Sequence, residues 1–161
     1  MNFDHKIIPL SSVNTLSQRN AQKTVLVGGC FDIMHYGHLS FLQKARLAGD
    51  FLIVLLESDE FIKTAKKKKP VHTQKQRAEI LASIGYTDSI VLLPILKSPD
   101  TDYMAIVKQI HPQIIAYTEG DKQEERKKEL AKLVSGTTYE IPYLSSFSSS
   151  QLITYAHFLR D

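Results

Sequence analysis

The stretch TVLVGGCFDIMHYGH, Thr24 to His38, decides the fold. Its apolar residues Val25 to Val27 run into the pair Gly28-Gly29, and beyond the second histidine the apolar spacing becomes helical. We therefore expect a strand, a tight turn and a helix. Free backbone N–H groups and the positive end of the helix dipole converge at such a turn, which is an arrangement that binds phosphate. Two imidazoles, His35 and His38, lie at the same turn.

The rest of the chain alternates between apolar runs and helical spacings. Strands are predicted at 24–27, 51–56, 89–93, 114–117 and 139–141, and helices at 37–48, 74–84, 100–110, 122–134 and 149–159. The run FLIVLL at 51–56 is apolar at every position, which is typical of a strand buried on both faces of a parallel sheet. The alternation predicts an α/β fold that is Rossmann-like and doubly wound, with a mostly parallel five-stranded sheet covered by helices on both faces.

Length and composition favour one domain without a membrane segment. At 161 residues the chain is long enough for one core; we expect residues 1–22 to be a lead-in packed on a domain formed by 23–161. The formal net charge of +3 suits a pocket for anionic small molecules and does not require nucleic acid. Cys30 is the only cysteine, which excludes an intrachain disulfide. No apolar run approaches the ~18 residues of a membrane span, and no signal peptide is evident. We expect a cytoplasmic protein.

The histidine pair His35 and His38 has three interpretations. A zinc site normally needs three or four protein ligands, and no further ligand is evident, so we predict no metal site. Surface or capping histidines are the ordinary explanation of an isolated HxxH. The preceding strand and glycine pair favour the third interpretation, contact with phosphate.

The segments GCFD (29–32) and HYGH (35–38) resemble the GxFDxxHxGH signature of the nucleotidyltransferase superfamily, the cytidylyltransferase-like enzymes. The resemblance extends from about Lys23 to Ile153. It implies transfer of a nucleoside monophosphate from a nucleoside triphosphate, with release of pyrophosphate. His35 and His38 would contact the triphosphate and stabilise charge in the transition state. The acceptor phosphate is already ionised, so positioning and charge neutralisation carry the catalysis. The nucleotide-binding residues implied in this stretch are Gly28, Gly29, Cys30, Phe31, Asp32 and Gly37.

Basic residues follow the second predicted strand. The cluster KKKK at 66–69 could be a solvated loop, but it lies at the edge of the sheet where ligands of open α/β folds bind. It also resembles the lysine loop of glycerol-3-phosphate cytidylyltransferases, which implies that Lys66 and Lys68 contact the triphosphate or the acceptor phosphate. Arg77 stands where the family has an arginine over the active site. The resemblance makes it a phosphate or acceptor contact, against the alternative of a helix-surface arginine.

Two later segments also resemble family motifs. Gly120 and Asp121 match a glycine–aspartate pair beside the base and ribose, although they could form an ordinary turn with a left-handed glycine. The residues before the last predicted helix resemble a serine motif that binds the β- and γ-phosphates; they are Phe147, Ser148, Ser149 and Ser150. An ordinary serine N-cap is the alternative. No arginine follows these serines, and Tyr143 replaces an arginine of the glycerol-3-phosphate enzymes. The lysines, Arg77 and Mg²⁺ would then neutralise the triphosphate.

The acceptor is less determined than the reaction. The segments KIIPL (6–10), GCFD and KPV (69–71) resemble heptose-1-phosphate adenylyltransferases, whereas HYGH and the lysine loop resemble glycerol-3-phosphate cytidylyltransferases. We predict transfer from ATP or CTP to a small phosphorylated acceptor, with a sugar phosphate such as heptose 1-phosphate favoured over a polyol phosphate. A non-catalytic nucleotide-binding regulator is an alternative; a nucleic-acid-binding module has no motif to support it. The family resemblance also implies a homodimer.

Overall fold

Six strands and five helices form the described part of the molecule, residues 3–16 and 23–144 of a computed structural model. The strands are β1 (Ile7–Pro9), β2 (Thr24–Gly29), β3 (Phe51–Leu56), β4 (Ser89–Leu92), β5 (Ile114–Thr118) and β6 (Thr137–Ile141). The helices are α1 (Tyr36–Leu47), α2 (Asp59–Ala65), α3 (Gln74–Ser83), α4 (Pro99–Ile110) and α5 (Glu124–Leu133). Short 3-10 helices flank β1, at Asp4–Lys6 and Leu10–Leu16. All strand pairs are parallel, and the sheet order is β1-β4-β3-β2-β5-β6.

Each face of the sheet carries its own apolar core, because successive strand residues point to opposite faces. In β3 the side chains of Ile53 and Leu55 pack with α4 and α5, whereas Leu52, Val54 and Leu56 pack with α1 and α3. All six residues of β3 are buried. The α/β class, the parallel sheet and the helices on both faces are therefore confirmed.

The predicted number of strands was wrong: within the described residues the sheet has six strands, and the additional one is β1. This strand is only three residues long and ends at Pro9, so neither length nor alternation marks it in the sequence. It exists because it pairs with the edge of β4, where Ile7 lies opposite Ile90. The Lys6 ammonium donates to the Thr87 carbonyl at 2.7 Å and fastens the segment next to the strand.

The sheet reverses its direction of growth between β2 and β5. From β2 the chain adds β3 and then β4 on one side, through α1 and α3; it then crosses back through α4 to place β5 on the other side of β2. Ligands of open α/β sheets bind at the carboxyl ends of the strands at such a switch point. No helix within residues 3–16 and 23–144 is long and apolar enough to cross a membrane. The helix predicted at 149–159 lies outside the described residues.

Candidate active site

The turn between β2 and α1 is tight and partly strained. Phe31 has a φ of +47°, which is unfavourable for a residue with a Cβ. Burial of the Phe31 ring offsets this unfavourable backbone conformation, since only 5% of the residue is exposed. The ring lies directly against Gly29, where an added Cβ would come within 2.9 Å of it. Glycine is thus required at position 29 so that the Phe31 ring can anchor the turn.

The two histidines lie together at the start of α1. His35 is the N-cap residue, and its Nδ1 accepts a hydrogen bond from the His38 backbone N–H at 3.4 Å. The two rings stack with centroids 3.8 Å apart, and the Phe31 ring lies 5.3 Å from that of His38 on a tilted plane. Because Nδ1 of His35 is an acceptor here, the neutral ring carries its proton on Nε2. The turn therefore holds the two imidazoles in one orientation.

Both imidazoles are neutral near pH 7. Burial and the neighbouring His35 lower the pKa of His38 to about 4, although a hydrogen bond to the Ile33 carbonyl acts in the opposite direction. Burial also lowers the pKa of His35. A neutral imidazole presents one N–H donor, so His35 can donate from Nε2 to a phosphate oxygen without carrying a full charge. The N–H of His38 has to turn from the Ile33 carbonyl, or its ring has to bind a second proton, before it can do the same.

The depressed pKa of His38 predicts an acid-sensitive fold. Between pH 6.5 and 4 the unfolded chain binds a proton at this position that the folded chain does not, so stability falls as the pH is lowered. We expect the wild-type protein to lose about 1–3 kcal/mol more of its unfolding free energy over this range than His38→Gln. Urea unfolding at several pH values measures the difference. Parallel curves for the two proteins would contradict the assigned pKa shift.

A cavity of about 930 Å³ opens beside the histidines at the carboxyl ends of β2 and β5. Of the predicted residues, the structure brings these to its wall: Gly28, Gly29, Cys30, Phe31, Asp32, His35, Gly37, His38, Lys66, Lys68 and Asp121. Lys69, a member of the predicted cluster that was not singled out, also lies on this wall. Sequence reasoning missed others, namely Tyr117, Thr118, Lys122 and Lys127. Lys122 directly follows the glycine–aspartate pair, which is a usable signal, whereas nothing marks Lys127 before α5 is placed. Tyr143 lies on the same wall.

Two aspartates of the wall hold the surrounding loops. The Asp32 carboxylate accepts hydrogen bonds from the backbone N–H groups of Val71 and His72, each at 3.0 Å, and so ties the end of the lysine loop to the signature turn. Asp121 accepts from the Lys127 ammonium at 2.6 Å and from the Gln123 N–H at 2.7 Å. Burial favours its neutral form, but these hydrogen bonds outweigh burial and lower the pKa of Asp121. Both carboxylates are therefore engaged by hydrogen bonds.

Arg77 does not lie where it could contact a phosphate in either cavity. Its side chain is fully buried and belongs to neither cavity wall. The guanidinium donates to the carbonyls of Cys30, Glu57 and His72, and forms an ion pair of 2.7 Å with Asp59. These four acceptors belong to the signature turn, the end of β3, the lysine loop and α2. In the structure Arg77 is a positioning residue that joins the segments around the site.

The other predicted residues either do not line the cavity or lie outside the described part of the chain. Gly120 has a φ of +74° and forms the turn after β5, so that the left-handed conformation explains the glycine. It lies next to the wall without forming part of it. Phe147 and Ser148 to Ser150 lie outside the described residues, and their predicted role stays a prediction.

A second cavity of about 420 Å³ adjoins the first on the face of the sheet covered by α4 and α5. The two share several wall residues: Gly28, Gly29, Cys30, Lys66, Asp121, Lys122 and Lys127. The second cavity adds Glu57, Tyr103 and Arg126. Glu57 follows β3 directly, and none of these three residues was predicted to lie at the site. The arrangement provides two adjoining compartments with a shared basic rim.

Comparisons with known proteins agree with this geometry. FAD synthase from Thermococcus kodakarensis is 37% identical over 134 residues, which cover 80% of this chain and 86% of that protein. The bifunctional protein HldE from Helicobacter pylori is 41% identical over 111 residues, 68% of this chain but only 23% of that longer protein. Pantoate-beta-alanine ligase from Francisella tularensis has the same fold, with a TM-score of 0.63, 18% identity, and coverage of 96% of this chain and 79% of that one.

A family model supports the same assignment over most of the chain. The cytidylyltransferase-like model matches residues 26–154, a range that contains the signature turn, the lysine loop and the switch point between β2 and β5. The resemblance predicted from GCFD and HYGH is therefore confirmed. The chain belongs to the cytidylyltransferase-like family and is a nucleotidyltransferase.

Proposed function

We propose that the protein transfers AMP from ATP to a small phosphate monoester and releases pyrophosphate. The observation that carries the proposal is the stacked histidine pair on the wall of a cavity that also has three residues of the lysine loop on it. Neutral donors and cationic side chains on one wall suit a ligand with several phosphates.

The residues of the first cavity account for the chemistry. An oxygen of the acceptor phosphate attacks the α-phosphorus of ATP, the new P–O bond forms, and the bond to the β-phosphate oxygen breaks as pyrophosphate leaves. Negative charge grows on the α-phosphate oxygens and on the leaving group. The N–H groups of His35 and His38 and the ammonium of Lys66 would stabilise this charge when they donate to the phosphate oxygens. The acceptor oxygen carries no proton at neutral pH, so no residue has to act as a general base.

The expected Mg²⁺ would come with the nucleotide. Within residues 3–16 and 23–144 no group of three His, Cys, Asp or Glu side chains could hold a metal ion. The two cavity aspartates, Asp32 and Asp121, are already engaged in hydrogen bonds. This donor set fits an ion that keeps its water ligands and is bound mainly by phosphate oxygens. Bound there, Mg²⁺ would neutralise charge on the phosphates.

The relatives support the choice of donor and two kinds of acceptor. FAD consists of AMP and flavin mononucleotide with their two phosphates joined in a pyrophosphate linkage, and HldE includes a heptose-1-phosphate adenylyltransferase. ATP is therefore the favoured donor over CTP. We propose a sugar phosphate such as heptose 1-phosphate as the acceptor. Flavin mononucleotide is the second candidate, because the FAD synthase alignment covers most of both chains. Glycerol 3-phosphate with CTP is the polyol alternative.

A pyrophosphate-release screen tests the proposal. Each of the four nucleoside triphosphates is combined with Mg²⁺ and with heptose 1-phosphate, mannose 1-phosphate, glycerol 3-phosphate or flavin mononucleotide. We expect turnover with ATP and one class of acceptor. Turnover only with CTP would contradict AMP transfer and support the cytidylyltransferase alternative. Nucleotide binding without any turnover would favour the non-catalytic regulator.

The lysine loop offers a graded test of triphosphate binding. Lys66 and Lys68 line the first cavity, whereas Lys67 is exposed, does not line it and has a left-handed backbone conformation with φ +52°. Loss of one charged hydrogen bond to phosphate costs about 1.5–3 kcal/mol, which is about 10- to 100-fold in affinity. We expect Lys66→Ala and Lys68→Ala to raise the Kd of ATP–Mg²⁺ by this factor in calorimetry. Lys67→Ala is the matched control and should change the Kd of ATP–Mg²⁺ by less than twofold. An equal effect of all three variants would indicate a general electrostatic attraction instead of direct contacts.

We further propose a cytoplasmic homodimer, as the family resemblance implies. Light scattering of the purified protein tests the oligomeric state, with twice the 18.2 kDa chain mass expected.

A further inference from the structure

The second cavity has a buried carboxylate on its wall. Glu57 is only 7% exposed, and its Oε1 accepts a hydrogen bond from the Tyr103 hydroxyl, which comes from α4 on the opposite wall. Burial is the main cause that raises the pKa of Glu57. Its backbone carbonyl is held by Arg77 at 2.8 Å, so the residue is fixed from both ends. A buried, fixed carboxylate is costly to maintain, and nothing in the transfer of AMP requires it.

The position of Glu57 relates it to the acceptor and not to the triphosphate. It lines the second cavity but not the first, where the histidines lie. A carboxylate also repels phosphate, so the end of a ligand that reaches Glu57 is an uncharged or donor-rich end. The basic residues Lys66, Lys122 and Lys127 lie on the rim that the two cavities share. A phosphate monoester can thus place its phosphate at this rim and its other end at Glu57.

The surrounding charges restrict what that end can be. Arg126 lies with its guanidinium 5.0 Å from the centre of the Tyr103 ring and, with three lysines, makes four cationic side chains on the wall of the second cavity. These cations disfavour an amine or any other cationic group. The carboxylate accepts hydrogen bonds only, and Tyr103 occupies one of its oxygens. The remaining oxygen is suited to a neutral donor, which in a phosphate monoester is most simply a hydroxyl group.

We propose that Glu57, oriented by Tyr103, is a specificity-determining residue that accepts a hydrogen bond from a hydroxyl group of a polyhydroxylated phosphate monoester in the second cavity. The inference rests on the proposed function, since it takes the second cavity as the acceptor compartment. Glu57 would thereby be the residue that distinguishes acceptors, and polyhydroxylated phosphate monoesters would be the class that it favours. Gly28 lies between the compartments, and an added Cβ there would be 3.9 Å from the Tyr103 hydroxyl oxygen, so the floor of the cavity is left open by the absence of a side chain.

The first test compares variants in the pyrophosphate-release assay. Glu57→Gln keeps the shape of the side chain but replaces the carboxylate by an amide, and Tyr103→Phe removes the hydroxyl that orients it. We expect the KM for the hydroxyl-bearing acceptor to rise about 10-fold or more in both, with the KM for ATP within twofold. Glu60→Gln, an exposed carboxylate on α2, is the matched control and should change neither value. Unchanged acceptor KM in Glu57→Gln, or a change confined to ATP, would overturn the inference.

The second test uses only the wild-type protein and does not need turnover. Calorimetry compares mannose 1-phosphate with cyclohexyl phosphate, and glycerol 3-phosphate with propyl phosphate, pairs that differ in their hydroxyl groups. We expect at least one hydroxyl-bearing member to bind about 10-fold more tightly than its partner. Equal affinities within both pairs would overturn the inference even if the enzyme turns over. Discrimination without turnover would overturn the proposed reaction and support only the recognition of hydroxyl groups.

Discussion

Replacing His38 by alanine is expected to lower kcat for pyrophosphate release by about 10²-fold or more, while the protein stays folded. The ring is held between Phe31 and His35 on the cavity wall, so it offers a donor at the place proposed for the phosphate oxygens. Such a donor contributes most when charge develops, because the ground-state triphosphate can be solvated in other ways. The loss should therefore appear in kcat more than in the KM for ATP.

Three comparisons make this prediction specific. His38→Gln retains a donor at a similar distance from the backbone and should recover part of the lost rate. His5→Ala removes an exposed histidine from the segment before β1 and should leave the rate unchanged. Circular dichroism of each variant checks the fold. A His38→Ala enzyme with full kcat would remove the histidine pair from the mechanism.

Local signals account for the parts of the fold that were predictable. The composition of β3 predicts that both of its faces are buried, because all six residues are apolar; in the structure all six are buried. The helix starting at Gln74 was predicted from the helical spacing of Ala78, Leu81 and Ile84. In the structure Thr73 and Gln76 also form a reciprocal capping box at its start. The signature turn was predictable because glycine, strand and helix follow one another within 15 residues.

The features that were missed depend on contacts distant in sequence. The strand β1 is defined by pairing with β4, about 80 residues away. The helix α2 had a usable local signal, because Ser58 caps it and Asp59 and Glu60 occupy its first turn. No helix was predicted there, because the lysines that follow are typical of a solvated loop. The second cavity forms only when α4 and α5 pack on the sheet, so the meeting of Glu57 with Tyr103 has no local signature. The same holds for Arg77, whose spacing fits a surface position equally well.

Replacing Arg77 by methionine is expected to destabilise the fold by about 3–5 kcal/mol. The side chain is fully buried, and its guanidinium satisfies three backbone carbonyls and the Asp59 carboxylate. Methionine fills the volume but leaves these acceptors without their donor, which is the costly way to break a buried polar network. Lysine keeps the charge but cannot reach several acceptors in a planar fork, so Arg77→Lys should be intermediate. Urea unfolding of the three proteins measures the losses.

A surface lysine of α3 provides the matched control for Arg77. Lys75 lies two positions earlier, with 86% of its side chain exposed and only a loose ion pair of 3.9 Å to Glu79. Lys75→Met should change the unfolding free energy by less than about 0.5 kcal/mol. The pair of variants also separates the two roles considered for Arg77. A phosphate contact predicts a stable Arg77→Met protein that binds ATP–Mg²⁺ weakly, whereas a positioning residue predicts lost stability first. Near wild-type stability with a raised Kd would support a triphosphate contact for Arg77, whereas the four acceptors of its fully buried guanidinium favour the opposite result.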